Sequence, residues 1–160
     1  MRIPIVDEND NLLYYKDAKE RDRHKEITRS AGLWVTDKEG NILLAQRAFN
    51  KEVAPGLWGP AAAGSVEEGE TYESNIIKEA EEEINLKNIK PILGPKRRLS
   101  TSHEYFAQWF MVVVDHDYSF KKQDEEVEAI KWFSPLELSI LLKEQPEIFL
   151  PSFDEHFNSF

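Results

Sequence analysis

Residues 64–86, GSVEEGETYESNIIKEAEEEINL, set a glycine-punctuated acidic loop ahead of a helix. Thr71 is placed to cap the helix start, Glu73 suits the positive end of its dipole, and Ile76, Ile77, Ala80 and Ile84 recur at helical spacing. At about 100° per residue those four fall on one arc, and Glu79, Glu82 and Glu83 fall on the neighbouring one. One face packs while the other presents oxygens. Carboxylates crowded in this way repel one another unless a cation joins them. Two readings stand: a metal site, or the solvated acidic face that a run of glutamates usually forms, as Glu81 does. A solvated face does not account for Gly64, Val66 and Glu70 at their fixed distances upstream, nor for a glutamate triple with only Lys78 as a nearby cation.

Upstream of this stretch, residues 3–6 and 12–15 read as two short strands about the polar turn at 7–11, an N-terminal hairpin spanning 3–15. Residues 16–26 are almost entirely charged, an exposed connection or short solvated helix in which His24 is an ordinary surface histidine. A second hairpin is expected from the apolar runs 29–36 and 42–46 about Asp37-Lys38-Glu39-Gly40-Asn41. Arg47 and Lys51 follow, then a Pro- and Gly-rich loop over 54–60 that interrupts regular structure. Two cations at the mouth of a loop suit a phosphate, although spacing alone favours a pair of ordinary surface charges. Residues 61–64 are small-sided, fit for a strand that something approaches closely.

The chain has 160 residues, the usual size of one domain, so a single domain over 1–160 is expected. It is 41% hydrophobic and 31% charged, which excludes disorder, and no apolar run approaches the roughly 18 residues of a membrane span. The start lacks a secretory apolar core and the chain has no cysteine, which points to a cytoplasmic location without disulfides or zinc–thiolate sites. The formal charge of −10 speaks against general nucleic-acid binding, which needs a basic face. A polyanionic ligand would need local cations, which bound Mg²⁺ can supply.

Downstream, Ile92 and Leu93 are expected to end a strand, and Lys96-Arg97-Arg98 to lie on a loop, solvated or against a substrate phosphate. Residues 104–114, EYFAQWFMVVV, read as a central buried strand. A polar loop runs to Gln123, and a strand covers 129–133. Ser134, Pro135 and Glu137 carry the start signals of a helix reaching about residue 143. The tail 146–160 holds four Phe and is expected to pack as a short helix broken near Pro151, or to form a partner surface.

The opening stretch resembles the Nudix box, G-x(5)-E-x(7)-R-E-U-x-E-E-x-G-U with U aliphatic. Gly64, Glu70, Glu79, Ala80, Glu82, Glu83 and Leu86 fall on its positions without a gap. The five polar matches would arise by chance roughly once in a thousand such chains. Lys78 stands where the pattern has Arg, keeping the charge but losing the planar fork. Asn85 stands where it has Gly, and tolerates the left-handed conformation expected there. Over most of the chain the likeness is to the branch holding type I isopentenyl-diphosphate isomerases and their hydrolase relatives.

The resemblance implies an α/β/α sandwich with a mixed β-sheet and a loop-helix-loop catalytic motif over 64–86. It implies Mg²⁺ or Mn²⁺ held by Glu79, Glu82, Glu83 and the Gly64 carbonyl, with Glu70 in the outer shell. Catalysis would involve Glu79 or Glu126 as general base, with Glu125 and Glu128 the alternatives to Glu126, and Lys78 beside them, and Arg47 and Lys51 would hold a small-molecule diphosphate. The implied reaction is hydrolysis of a diphosphate linkage, with a lean toward nucleoside di- or triphosphates. Two alternatives remain. The isomerases carry Cys-Gly-His where this chain has Ala63-Gly64-Ser65, and alanine has no proton to transfer. A Nudix-fold binding module with weakened catalysis is the other, for which Lys78 speaks. Family members occur as monomers and homodimers, and no segment decides between them.

Overall fold

The computed structural model describes residues 1–160. β1 (Arg2–Val6) and β2 (Leu12–Asp17) pair antiparallel as a separate two-stranded ribbon. Asp7 holds their turn together by accepting from the backbone N–H groups of Asn9 and Asn11. The charged segment after it contains only one turn of 3₁₀ helix, Ala18–Glu20, capped by the Asp17 side chain.

The main sheet is built on β3 (Thr28–Thr36), which pairs parallel with β8 (Glu104–Val113) along its whole length. β4 (Ile42–Arg47) leaves β3 after two residue pairs, Val35 with Leu43 and Thr36 with Ile42. The expected second hairpin is therefore closed only near its turn. Its arms part as a V, and β5 (Trp58–Pro60) pairs with the β4 arm while β6 (Ala62–Ser65) pairs with the β3 arm. A strand over 58–60 corrects the reading of 54–60 as free of regular structure, since Gly59 and Pro60 are tolerated in a short edge strand. β9 (Val127–Phe133) adds to the far edge of β4, and β7 (Ile92–Ser100) closes the other side of the sheet on β8.

The position of β7 corrects a second expectation. Ile92 and Leu93 begin this strand instead of ending one, and Lys96, Arg97 and Arg98 lie on it, not on a loop. Each of the three has an acidic partner distant in sequence, Lys96 with Asp10, Arg97 with Glu155 and Arg98 with Glu8, and Arg98 also pairs with nearby Glu104. The basic trio fastens the N-terminal ribbon and the C-terminal tail to the sheet edge.

Side chains alternate across β3. Ala31, Leu33 and Val35 face α1 (Tyr72–Ile84), whose Ile76, Ala80 and Ile84 complete one core, each wholly withdrawn from water. Burying each Ile contributes about 1.5–3 kcal/mol. Trp34 faces the other way, into a second core with Trp109, Phe133, Leu138 of α2 (Pro135–Glu144), Phe149, and Phe153 of α3 (Phe153–Phe157). The result is an α/β/α sandwich on a mixed sheet. The tail packs: Phe153 is 1% exposed and Phe160 stacks on Trp34 at 4.5 Å. No helix is long and apolar enough to cross a membrane.

Candidate active site

The helix that carries the glutamates is fixed at both ends by local chemistry. Thr71 caps it reciprocally with Ser74: the Ser74 N–H donates to Thr71 Oγ1 at 3.0 Å and the Thr71 N–H to Ser74 Oγ at 2.9 Å. At the other end Asn85 takes the left-handed conformation, φ 57°, and its N–H returns to the Glu81 and Ala80 carbonyls. The last-turn carbonyls of Glu83 and Ile84 accept from Gln123 and Lys121. That ties the helix C-terminus to the loop bearing Glu126.

Glu79 and Glu83 lean from α1 onto β6. A Cβ on Gly64 would stand 2.5–2.7 Å from the Glu79 side chain, so only glycine lets Glu79 lie there. Glu83 Oε1 accepts from the Ala63 N–H at 3.2 Å. Burial pushes the Glu83 carboxyl up to about 8, the Glu79 charge next to it acts the same way, the Ala63 N–H and Arg47 act against, and Glu126 adds to the rise. Burial also lifts Glu79, offset by Lys78 and reinforced by Glu82, Glu70 and Glu67. Glu82 is exposed on the same helix.

Glu126 comes to this cluster from the start of β9. Its carboxylate accepts from Lys51 Nζ at 2.6 Å, and its carbonyl accepts from the Ala48 N–H at 3.0 Å. Arg47 is oriented by Val53, whose carbonyl accepts from its Nε at 3.0 Å. Arg47, Ala63, Glu83 and Glu126 line one small cleft. The structure thus brings Gly64, Glu79, Glu83, Glu126, Arg47 and Lys51 together at the open end of the V.

Glu70 and Lys78 form a separate layer behind the glutamates. Lys78 Nζ reaches Glu67 at 2.7 Å, Glu70 at 2.5 Å and Glu79 at 3.7 Å. The second Glu70 oxygen accepts from Asn75 Nδ2 and from the Glu67 N–H. Although burial opposes it, Lys78, the Glu67 N–H and Asn75 together hold Glu70 below its usual value. Its oxygens are committed to protein donors, which places it as a support for Lys78. Without an arginine fork, the lysine ammonium bridges two carboxylates. Glu67 and Asn75 are the site residues that sequence reasoning passed over. Glu67 was one acid among several in the loop, but Asn75 carried a signal, a polar residue beside the apolar arc of the helix. It is wholly buried, with Nδ2 donating to the Ser65 carbonyl at 2.9 Å.

A surplus of carboxyl groups, of which Glu79 and Glu83 are lifted by burial and mutual repulsion, is a donor set suited to a hard divalent cation. No three Asp, Glu or His side chains stand close enough to cage an ion as they lie. Glu79 lies against Gly64 and Glu83 against Ala63 on β6, and Glu82 is exposed on the same helix.

Residues 26–153 match the family model described as the NUDIX domain. The chain is 31% identical to an uncharacterized Nudix hydrolase of Pseudomonas aeruginosa over 83% of this chain and 78% of that protein. It is 26% identical to an isopentenyl-diphosphate Delta-isomerase of Photorhabdus laumondii, over 96% of this chain and 89% of that one. Among solved structures, a Deinococcus radiodurans protein superimposes with a TM-score of 0.82 at 19% identity, covering 99% of this chain and 98% of that chain.

Proposed function

Because the chain belongs to the Nudix domain family of phosphoanhydride hydrolases, we propose that it cleaves a diphosphate linkage in a nucleoside di- or triphosphate, or a related nucleoside diphosphate derivative, with Mg²⁺ or Mn²⁺. The observation that carries the reading is the approach of Glu79 over Gly64 beside a Glu83 carboxyl lifted by burial and by its acidic neighbours. Glu79, Glu83, the exposed Glu82 and the Gly64 carbonyl would hold the ion, and Glu70 supports them from behind through Lys78. When bound, such an ion neutralises phosphoryl oxygens and lowers the pKa of a water. Arg47 and Lys51 bind the diphosphate, Lys51 exchanging its contact with Glu126 for one with phosphate. That exchange frees the Glu126 carboxylate, which with Glu79 is a candidate base to take the proton from attacking water. Water attacks phosphorus and the bridging oxygen leaves with its electron pair, giving a monophosphate ester and phosphate from a nucleoside diphosphate, and a monophosphate ester and diphosphate, or a diphosphate ester and phosphate, from a triphosphate.

The isomerase reaction has less support. Ala63 pairs with Gly32 on β3, its N–H engaged by Glu83, and presents only a methyl group where proton transfer at carbon needs a titratable one. The test is a panel of nucleoside di- and triphosphates, dinucleotides, coenzyme A and isopentenyl diphosphate, with and without Mg²⁺. Metal-dependent phosphate release from a nucleotide is expected. Rearrangement of isopentenyl diphosphate without phosphate release would overturn the reading in favour of the isomerase.

A further inference from the structure

The charged segment between the ribbon and β3 leaves two arginines unanswered, in a chain where 30 acids face 20 Lys and Arg. Three of the segment's four acids are turned onto other donors. Asp17 accepts from the Lys19 N–H, Asp22 from the His24 N–H, and Glu26 from Lys16, the Tyr14 hydroxyl and the Asp22 N–H. Lys16 thereby gains an ion pair, and Arg21 and Arg23 enter none. Arg21 is partly buried, with its Nε shut away from water and bonded to nothing. Burial pushes its guanidinium down, the Arg23 charge pushes it further, and no acid counters them. A charge withdrawn from water without a partner is strongly disfavoured.

The two arginines stand beside the turn between β7 and β8. The Arg23 carbonyl accepts from the Glu104 N–H at 2.9 Å, which holds the segment against that turn. His103 of the turn feels both arginines: burial, then Arg21 and Arg23, hold its imidazole below the ordinary value, against the pull of Glu104. Ser102 is exposed next to it, with Oγ 3.3 Å from His103 Nδ1. Glu104 does not answer the arginines, because its carboxylate is taken by Arg98 and Ser100.

We propose that Arg21 and Arg23, with the Ser102 hydroxyl, form a binding site for a phosphate dianion, separate from the diphosphate site at Arg47 and Lys51. Neither arginine lines the cleft of Glu83 and Glu126. Guanidinium groups carry only donors, in a planar fork that fits phosphate oxygens two at a time. Of the Arg21 nitrogens only Nε is both buried and unbonded, so the terminal pair is the part open to an anion. Two neighbouring like charges call for a ligand of charge −2, and a single carboxylate would leave one of them uncompensated. Inorganic phosphate, which the proposed hydrolysis can release, and the phosphomonoester end of a larger ligand share this chemistry.

The test is calorimetric titration of the full-length protein in chelator, with inorganic phosphate and, separately, with glycerol 3-phosphate. Saturable binding of phosphate is expected, weakened about tenfold or more by Arg21→Met and by Arg23→Gln and retained in Arg47→Gln. Arg23→Gln, at an exposed position, carries the test should Arg21→Met not fold. Absence of saturable binding overturns the proposal. So does binding lost in Arg47→Gln and untouched by the other two, which puts the ion in the catalytic cleft. A melting temperature lowered in Arg21→Met with phosphate affinity unchanged overturns it as well, since Arg21 is then structural alone. Glycerol 3-phosphate bound as tightly as phosphate assigns the site to a phosphoryl end group, and a much weaker ester assigns it to the free ion. Neither metal nor diphosphate is present, so failure of the hydrolase reading shows in the phosphate-release panel, and failure of this site shows here.

Discussion

Replacing Gly64 with alanine is a perturbation whose consequence is set by geometry. The added Cβ would lie 2.5 Å from Glu79 Cδ, 2.6 Å from Cγ and 2.7 Å from Oε1, against an ordinary contact of at least 3.4 Å. Gly64 has no positive φ, so alanine brings no backbone strain. The clash is with the flexible end of a side chain, so Glu79 retreats by about 1 Å and the fold stays. A displacement of that size in a catalytic constellation costs on the order of 100-fold in rate, equivalent to about 2.7 kcal/mol of lost transition-state stabilisation. Steady-state kinetics of phosphate release with saturating Mg²⁺ should show kcat reduced by about that factor, and thermal melts should shift by less than the equivalent of about 1 kcal/mol. Wild-type kcat in a normally folded Gly64→Ala protein would refute the reasoning, because Glu79 would then be catalytically idle. A collapse of stability would equally show that the Gly64–Glu79 contact is structural.

Glu83→Gln keeps the acceptor for the Ala63 N–H and removes a carboxyl whose ionisation is opposed by burial, Glu79 and Glu126, so in chelator at neutral pH, where the unfolded chain would hold it ionised, it should raise stability by about 1–3 kcal/mol while lowering phosphate release; a lower melting temperature would contradict this. Asp10 holds Arg29 at 2.7 Å, Lys96 at 2.5 Å and the Tyr72 hydroxyl at 2.8 Å from a carboxyl that is 6% exposed. Asp10→Asn should therefore cost about 2 kcal/mol in denaturant unfolding, and an unchanged midpoint would show the ribbon is not fastened there. Burial pushes His156 down to about 4, below the ordinary value near 6.5 expected in the unfolded chain. Its neutral form stabilises the fold fully above about pH 6.5, and that stability drains as pH falls toward 4. Between pH 7 and pH 5 the native protein should lose about 2 kcal/mol more than His156→Phe, and parallel pH profiles would remove the histidine from the account.

Much of the site was legible because its determinants are local. The Glu79, Glu82 and Glu83 spacing, the Thr71 cap and the left-handed Asn85 lie within one helix and its ends, where sequence distance and spatial distance agree. The capping partner was less so, since Ser74 takes the role usually read from Glu or Gln. What escaped is non-local. Nothing in the apolar runs of β3 and β4 announces that they part after two pairs, because β5 and β6 compete for the same edges.

The basic trio reads as a solvated loop until Glu8, Asp10 and Glu155 arrive from the two ends of the chain. The arginine-to-lysine change at 78 likewise implies a weakened contact only while Glu67 is unplaced. With it placed, the ammonium gains a second carboxylate in exchange for the fork. The seat of the tail against Trp34 was beyond reach because short tail elements have no periodicity to read.

The central claim is that the glutamates of α1 form the metal-dependent centre of a diphosphate hydrolase. It is tested most directly by the initial rate of phosphate release from the best nucleotide of the panel, followed across a Mg²⁺ titration for the native protein and for Glu79→Gln. The native rate should rise from background and saturate with Mg²⁺, and the Glu79→Gln rate should stay about 100-fold or more below it at every concentration. Equal rates for the two proteins, or a native rate indifferent to Mg²⁺ and to chelator, would contradict it.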